Sequence, residues 1–123
     1  MALPAKLQNE IRQYQRLQQD LSQVSQQRMQ IDLKLRETTH TLDELKTVAD
    51  DAVIYRPIGG LLVRAQSKKE VVDLLTDDKE TLEVRVKALE RNENQLKERY
   101  TTMTKDLSDA IQAAGISPTG SAQ

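Results

Sequence analysis

Few residues of this chain have the type and spacing that catalysis or metal binding requires. The only histidine, His40, stands between Thr39 and Thr41, with no second imidazole nearby to complete a metal site or a catalytic triad. The chain has no cysteine, which excludes disulfides, thiolate metal ligands and thiol nucleophiles. We therefore expect no metal, no cofactor and no enzymatic activity.

Three short motifs could be mistaken for reaction centres. Asp50-Asp51 and Asp77-Asp78 are adjacent carboxylates, but neighbouring side chains in a helix or turn point apart, which favours helix-boundary charges over an acid/base pair. Gly59-Gly60 lacks the longer glycine pattern and the Lys-Ser/Thr pair of a phosphate-binding loop, so it indicates a turn. None of the three predicts a reaction.

Charge and hydropathy exclude two further classes of function. The 18 Lys and Arg residues are balanced by 19 Asp and Glu residues, so no positive excess is available to neutralise nucleic-acid phosphates. Apolar runs such as Leu61-Leu62-Val63 are far shorter than the roughly 20 residues that span a bilayer. The first residues, from Met1 to Pro4, lack a basic region followed by an apolar stretch, so they do not resemble a secretory signal. We expect a cytoplasmic protein without nucleic-acid or membrane partners.

Most of the chain consists of two segments in which apolar residues recur with heptad spacing. Aromatic residues are only 2% of the chain and charged residues 30%, a balance that suits long helices with a narrow apolar stripe. The spacing predicts helices over about 5–48 and 68–114, the second opened by a capping box at Ser67 and Glu70, with a flexible tail over 115–123. The first stripe contains Leu3, Leu7, Tyr14, Leu17, Leu21, Val24, Ile31, Leu35, Leu42 and Leu45, and the second contains Val72, Leu75, Leu82, Val86, Leu89, Leu96, Tyr100, Met103 and Leu107.

Each narrow stripe must be buried against a partner, and the other half of the chain is the nearest one. In an antiparallel coiled-coil hairpin, a single alignment of the two helices brings the whole of both stripes into register. The same alignment places Arg28 near Glu93, and we expect these two side chains to pair. A parallel homodimer of each helix stays open as an alternative. Expected facing pairs are Leu42 with Leu75, Tyr14 with Met103, and Val24 with Glu93.

The insert between the helices, residues 52–66, predicts a β-hairpin. Strands over 52–58 and 61–66 flank Gly59-Gly60, which tolerates a tight turn. Pro57 has no backbone N–H, so we expect its nitrogen to face outward, at an edge or near the turn. Apolar side chains occupy both faces, and an isolated hairpin is marginal in water, so we expect an assembly interface. The expected interface residues are Val53, Ile54, Tyr55, Ile58, Leu61, Leu62 and Val63.

The segment Asp-Asp-Ala-Val-Ile-Tyr-Arg-Pro-Ile-Gly-Gly-Leu-Leu-Val-Arg (50–64), followed by the capped helix with Glu80 to Glu93, resembles β-type prefoldin subunits, above all those of archaea. The stretch 14–21 is also similar to a eukaryotic β-type subunit. The resemblance implies a hexamer of two α-type and four β-type subunits, joined by their hairpins into a β-barrel. It further implies that the free coiled-coil tips hold non-native proteins without ATP and deliver them to a group II chaperonin.

If the hairpin closes the coiled coil, the open end contains a group of apolar residues that we expect to bind clients. Ile11 and Ile111 lie outside the stripes, whereas Leu7 and Leu107 could equally be ordinary seam residues. The alternative function is a structural coiled-coil tether or scaffold that binds no clients. The full set of expected client-binding residues is Leu3, Leu7, Ile11, Leu107, Ile111 and Ile116.

Overall fold

The computed structural model of this chain describes residues 3–115 and contains two long helices with a two-stranded antiparallel hairpin between them. The predicted fold class is confirmed. Helix α1 ends three residues before the predicted boundary, and both strands are shorter than the predicted segments. The elements are α1 (Ala5–Leu45), β1 (Tyr55–Ile58), β2 (Leu61–Arg64) and α2 (Lys68–Ala113).

The start of α2 has the predicted capping arrangement. The Ser67 hydroxyl accepts the Glu70 N–H at 3.1 Å, and the Glu70 carboxylate accepts the Gln66 N–H at 2.7 Å. Both bonds satisfy backbone donors near the helix start that have no partner within the helix. At the other end, Gly115 adopts a φ of 75°, a conformation that glycine reaches without strain, and its N–H donates to the Gln112 carbonyl.

The chain divides into two compact units. The terminal unit comprises Met1–Gln27 and Leu89–Gln123, and the hairpin unit comprises Arg28–Ala88. Each has its own buried apolar seam, formed by side chains at the predicted heptad positions or beside them. The buried residues are Leu7, Leu17, Leu96 and Leu107 in the terminal unit, and Leu45, Val71, Leu82 and Val86 in the hairpin unit.

Within the terminal unit, the tyrosine contacts agree with the antiparallel register. The rings of Tyr14 and Tyr100 stack with centroids 4.9 Å apart and planes 20° apart. Thr104 Oγ lies 3.0 Å from Tyr14 Oη, and Thr104 is next to Met103, the residue expected opposite Tyr14. Stacked aromatics of this kind add to the burial of the seam.

A buried carboxylate interrupts the same seam. Glu93 is only 4% exposed, and its carboxylate accepts a hydrogen bond from Ser25 Oγ at 2.5 Å. Such a bond offsets part of the cost of removing the charge from water. Arg28 Nη1 lies 2.8 Å from Asp32 Oδ2, and the predicted pairing of Arg28 with Glu93 stays a prediction.

Candidate functional site

The hairpin has a fixed register around a two-residue turn. Tyr55 pairs with Arg64, and Ile58 pairs with Leu61 directly beside the turn. Gly59 adopts a φ of 59°, which explains why glycine occupies this position. Because side chains alternate along a strand, this register places Tyr55 on one face of the hairpin and Ile58 with Leu61 on the other.

The apolar side chains of the hairpin are exposed on both faces. Leu61 and Leu62, on opposite faces, retain 70% and 73% of their accessible surface. Val53, Tyr55, Ile58 and Val63 are also exposed, and Ile54 is half-buried. Contiguous apolar surface of this kind marks an interaction site, since a lone hairpin cannot cover it.

The two outer edges of the hairpin differ in their hydrogen-bond donors. The Ala65 N–H donates to the Ile54 carbonyl at 2.8 Å, so Ile54 and Ala65 form a hydrogen-bonded pair. Hydrogen-bonded and non-hydrogen-bonded pairs alternate along an antiparallel hairpin, so Pro57 and Leu62 form a non-hydrogen-bonded pair. The nitrogen of Pro57 therefore faces the outer edge of β1. Because proline has no N–H, this edge lacks a donor there, but no hydrogen bond between the two strands is lost. The outer edge of β2 keeps the N–H groups of Leu62 and Arg64. Within residues 3–115 the sheet has only these two strands, so both edges are open to a further strand.

The predicted client-binding residues differ in accessibility. Leu7 and Leu107 are buried in the terminal unit, at 6% and 7% exposure, whereas Leu3, Ile11 and Ile111 are half-buried. Ile116 lies outside the described residues. The isoleucines outside the heptad stripes are therefore the more accessible members of the predicted set, and client binding by this set stays a prediction.

The sequence did not reveal a groove in the terminal unit, which we call the terminal groove. It has a volume of about 660 Å³, within the range of roughly 300–1,000 Å³ typical of ligand sites. Met103, Leu107 and Ala110 give it an apolar floor, and Glu10 lies on its rim. The one available signal in the sequence was Glu10 itself, a carboxylate that interrupts an apolar heptad stripe.

Hydrogen bonds link the two tyrosines of the terminal unit. The hydrogen bond with Thr104 is the main cause that lowers the pKa of Tyr14 below its ordinary value. The hydrogen bond with Tyr14 in turn raises the pKa of Tyr100. Opposite pKa shifts of this kind are typical of two hydrogen-bonded phenols, of which one accepts the hydrogen bond and the other donates it.

The only histidine, considered first for chemistry, contacts a carboxylate of its own helix. His40 is exposed, and its Nε2 lies 3.8 Å from Glu44 Oε1 on the same helix. In the part of the chain that the structure describes, no three His, Cys, Asp or Glu residues are grouped in a way that could hold a metal ion. Over the same residues, neither helix is apolar enough to cross a membrane.

Comparison with known proteins decides the family. The family model described as a prefoldin subunit matches residues 8–114. The chain belongs to the prefoldin subunit family. It is 39% identical over 109 residues to the prefoldin subunit beta of Archaeoglobus fulgidus, covering 89% of this chain and 93% of the relative. It is 41% identical over 112 residues to that of Methanosarcina acetivorans, covering 91% and 92%.

A solved structure supports the same assignment. The crystal structure of the prefoldin beta subunit from Thermococcus strain KS-1 matches with a TM-score of 0.78 and 37% identity. The match covers 89% of this chain and 96% of that chain. The resemblance to β-type prefoldin subunits predicted from the sequence is thus confirmed. The family consists of chaperone subunits and not of enzymes.

Proposed function

We propose that this chain is a subunit of an ATP-independent holdase chaperone in the cytoplasm. It assembles through its hairpin with an α-type subunit and with further copies of itself, in a hexamer of two α-type and four β-type subunits. The hexamer holds non-native proteins and delivers them to a group II chaperonin. The observation that carries the proposal is the hairpin, whose apolar faces and open edges need other strands.

Family membership and the terminal unit support the holding function. Ile11 and Ile111 leave part of their apolar surface in water, and the terminal groove has an apolar floor. Surfaces of this kind suit the exposed apolar segments of unfolded proteins, which vary in sequence. Met103 adds to this suitability, because its flexible thioether side chain adapts to irregular partners.

Aggregation of a chemically denatured client, followed by light scattering without ATP, tests the holding function. The assembled wild type should suppress aggregation, and Ile11→Ser with Ile111→Ser should suppress it much less, because apolar contact area is lost. The double change Leu33→Ser with Val84→Ser is the matched control, since it removes two exposed apolar side chains of the hairpin unit.

The comparison requires that the wild-type assembly and the assemblies of both double variants have the same mass, so that a difference in suppression does not come from a difference in assembly. Equal suppression by both double variants would contradict the assignment of client binding to the terminal unit. Undiminished client aggregation with the wild-type assembly would contradict the holdase function itself.

A further inference from the structure

The rim of the terminal groove is acidic. Glu98 and Asp106 are exposed, Glu10 is half-buried, and Arg99 is the one cation among the groove's lining residues. Within residues 3–115, none of these three carboxylates forms an ion pair or a side-chain hydrogen bond. The rim therefore presents a negative potential above an apolar floor, which attracts cationic groups.

A groove in the hairpin unit has the opposite charge. It has a volume of about 360 Å³, and its lining includes Lys46, Lys68 and Lys79 against the single carboxylate of Asp43. The chain as a whole is close to neutral, with a formal net charge of −1. The acidic rim is thus a local property of the terminal groove and does not follow from the composition of the chain.

We propose that the terminal groove binds apolar client segments that carry Lys or Arg beside their apolar residues. This inference rests on the proposed function and specifies the class of client. The apolar residues of the segment lie against Met103, Leu107 and Ala110. The long stems of Lys and Arg cover further apolar surface while their charged ends reach the carboxylates on the rim.

Neighbouring features define where the basic residues of the client lie. A smaller groove of about 200 Å³ shares Glu10 and Ala110 with the terminal groove and is lined by Lys6. A basic residue is therefore bound near Glu98 and Asp106 rather than near Lys6. Residues 116–123 of the chain itself contain no Lys or Arg, so their charge does not fit this rim.

Three short fluorescent peptides with the same apolar centre, flanked by Lys, Gln or Glu, test the proposal by anisotropy with the assembled protein. At low salt, the Lys-flanked peptide should bind roughly tenfold more tightly than the Gln-flanked one, since several exposed ion pairs contribute together. The Glu-flanked peptide should bind more weakly than both. The difference should shrink at high salt, because exposed charges are screened.

Charge-neutral variants locate the effect. Glu10→Gln with Glu98→Gln and Asp106→Asn should remove the preference for the Lys-flanked peptide and leave binding of the Gln-flanked peptide within about twofold. The matched control removes the same number of charges from exposed positions on α2 in the hairpin unit, as Asp77→Asn with Asp78→Asn and Glu83→Gln. This control should retain the preference.

The single variant Asp106→Asn covers the case in which the triple variant folds poorly, and it should lower the preference about two- to threefold. Equal binding of all three peptides to the wild type, or an equal loss of preference in the groove and control variants, would overturn the inference. Either result would leave the holdase function standing. If none of the peptides binds and the client also aggregates, the proposed function fails together with the inference.

Discussion

The hairpin and the terminal unit differ in where their apolar side chains lie. In the hairpin, Leu61 and Leu62 keep about 70% of their surface in water, whereas Leu7 and Leu107 in the terminal unit keep under a tenth. Two strands of four residues cannot cover both of their own faces, but two helices with matching stripes can cover each other. The hairpin therefore needs other molecules to be buried, and the terminal unit does not.

The largest expected effect comes from placing charges on the hairpin. Ile58→Asp with Leu62→Asp changes one exposed residue on each face. If each residue contributes about 2 kcal/mol to the interface, the double change weakens association by roughly a thousandfold. Sedimentation velocity should show loss of the oligomer, while far-ultraviolet circular dichroism should show unchanged helix content.

The control for the hairpin variant is Met29→Asp with Leu33→Asp on α1. These side chains are as exposed as Ile58, at 54% and 58%, and belong to the same unit. Their substitution should leave the oligomer intact. Dissociation of both double variants, or of neither, would mean that apolar exposure on the hairpin is not what drives assembly.

A smaller effect on folding stability should distinguish buried from exposed positions on one helix. Val86 is 6% exposed and Val84 is 68% exposed, although they are only two residues apart. Val86→Ala should lower the free energy of unfolding by about 2 kcal/mol because it leaves a cavity. Val84→Ala should change it by less than about 0.5 kcal/mol. Urea denaturation measures both, and similar losses would contradict the seam described for the hairpin unit.

The sequence predicted the helices and the hairpin because both depend on local periodicity. Heptad spacing defined the buried stripes, including Leu17 and Val86, and Gly59-Gly60 marked the turn. The terminal groove was missed because its lining combines residues far apart in the sequence, such as Glu10 and Asp106. Heptad positions alone did not reveal which charged residues would share one rim.

The sequence also did not predict the hydrogen bond that Ser25 donates to the buried carboxylate of Glu93, and a further pair of variants tests that bond. Ser25→Ala removes the hydroxyl that donates to Glu93 and should cost about 1.5 kcal/mol of unfolding free energy. Ser22→Ala, at an exposed position on the same helix, should change it by less than about 0.5 kcal/mol. Equal denaturation midpoints for the two variants would show that the Ser25 bond adds nothing to the seam.

The smallest expected effect is on the ionisation of Tyr14. Thr104→Val removes the hydrogen bond that chiefly lowers the pKa of this phenol, so the pKa should rise toward its ordinary value. Ultraviolet titration of phenolate in a chain carrying Tyr55→Phe restricts the signal to Tyr14 and Tyr100. Thr101→Val, at an exposed position on α2, is the control and should leave the titration unchanged. An unshifted first ionisation in Thr104→Val would contradict the assigned cause.

The most direct test of the account is the mass of the assembly, measured by light scattering after this chain is mixed with an α-type prefoldin subunit and a labelled denatured client. We predict a mixed complex with a mass about six times the 14.0 kDa of this chain, which carries the client without ATP. A stable monomer or dimer that ignores both the α-type subunit and the client would contradict the account.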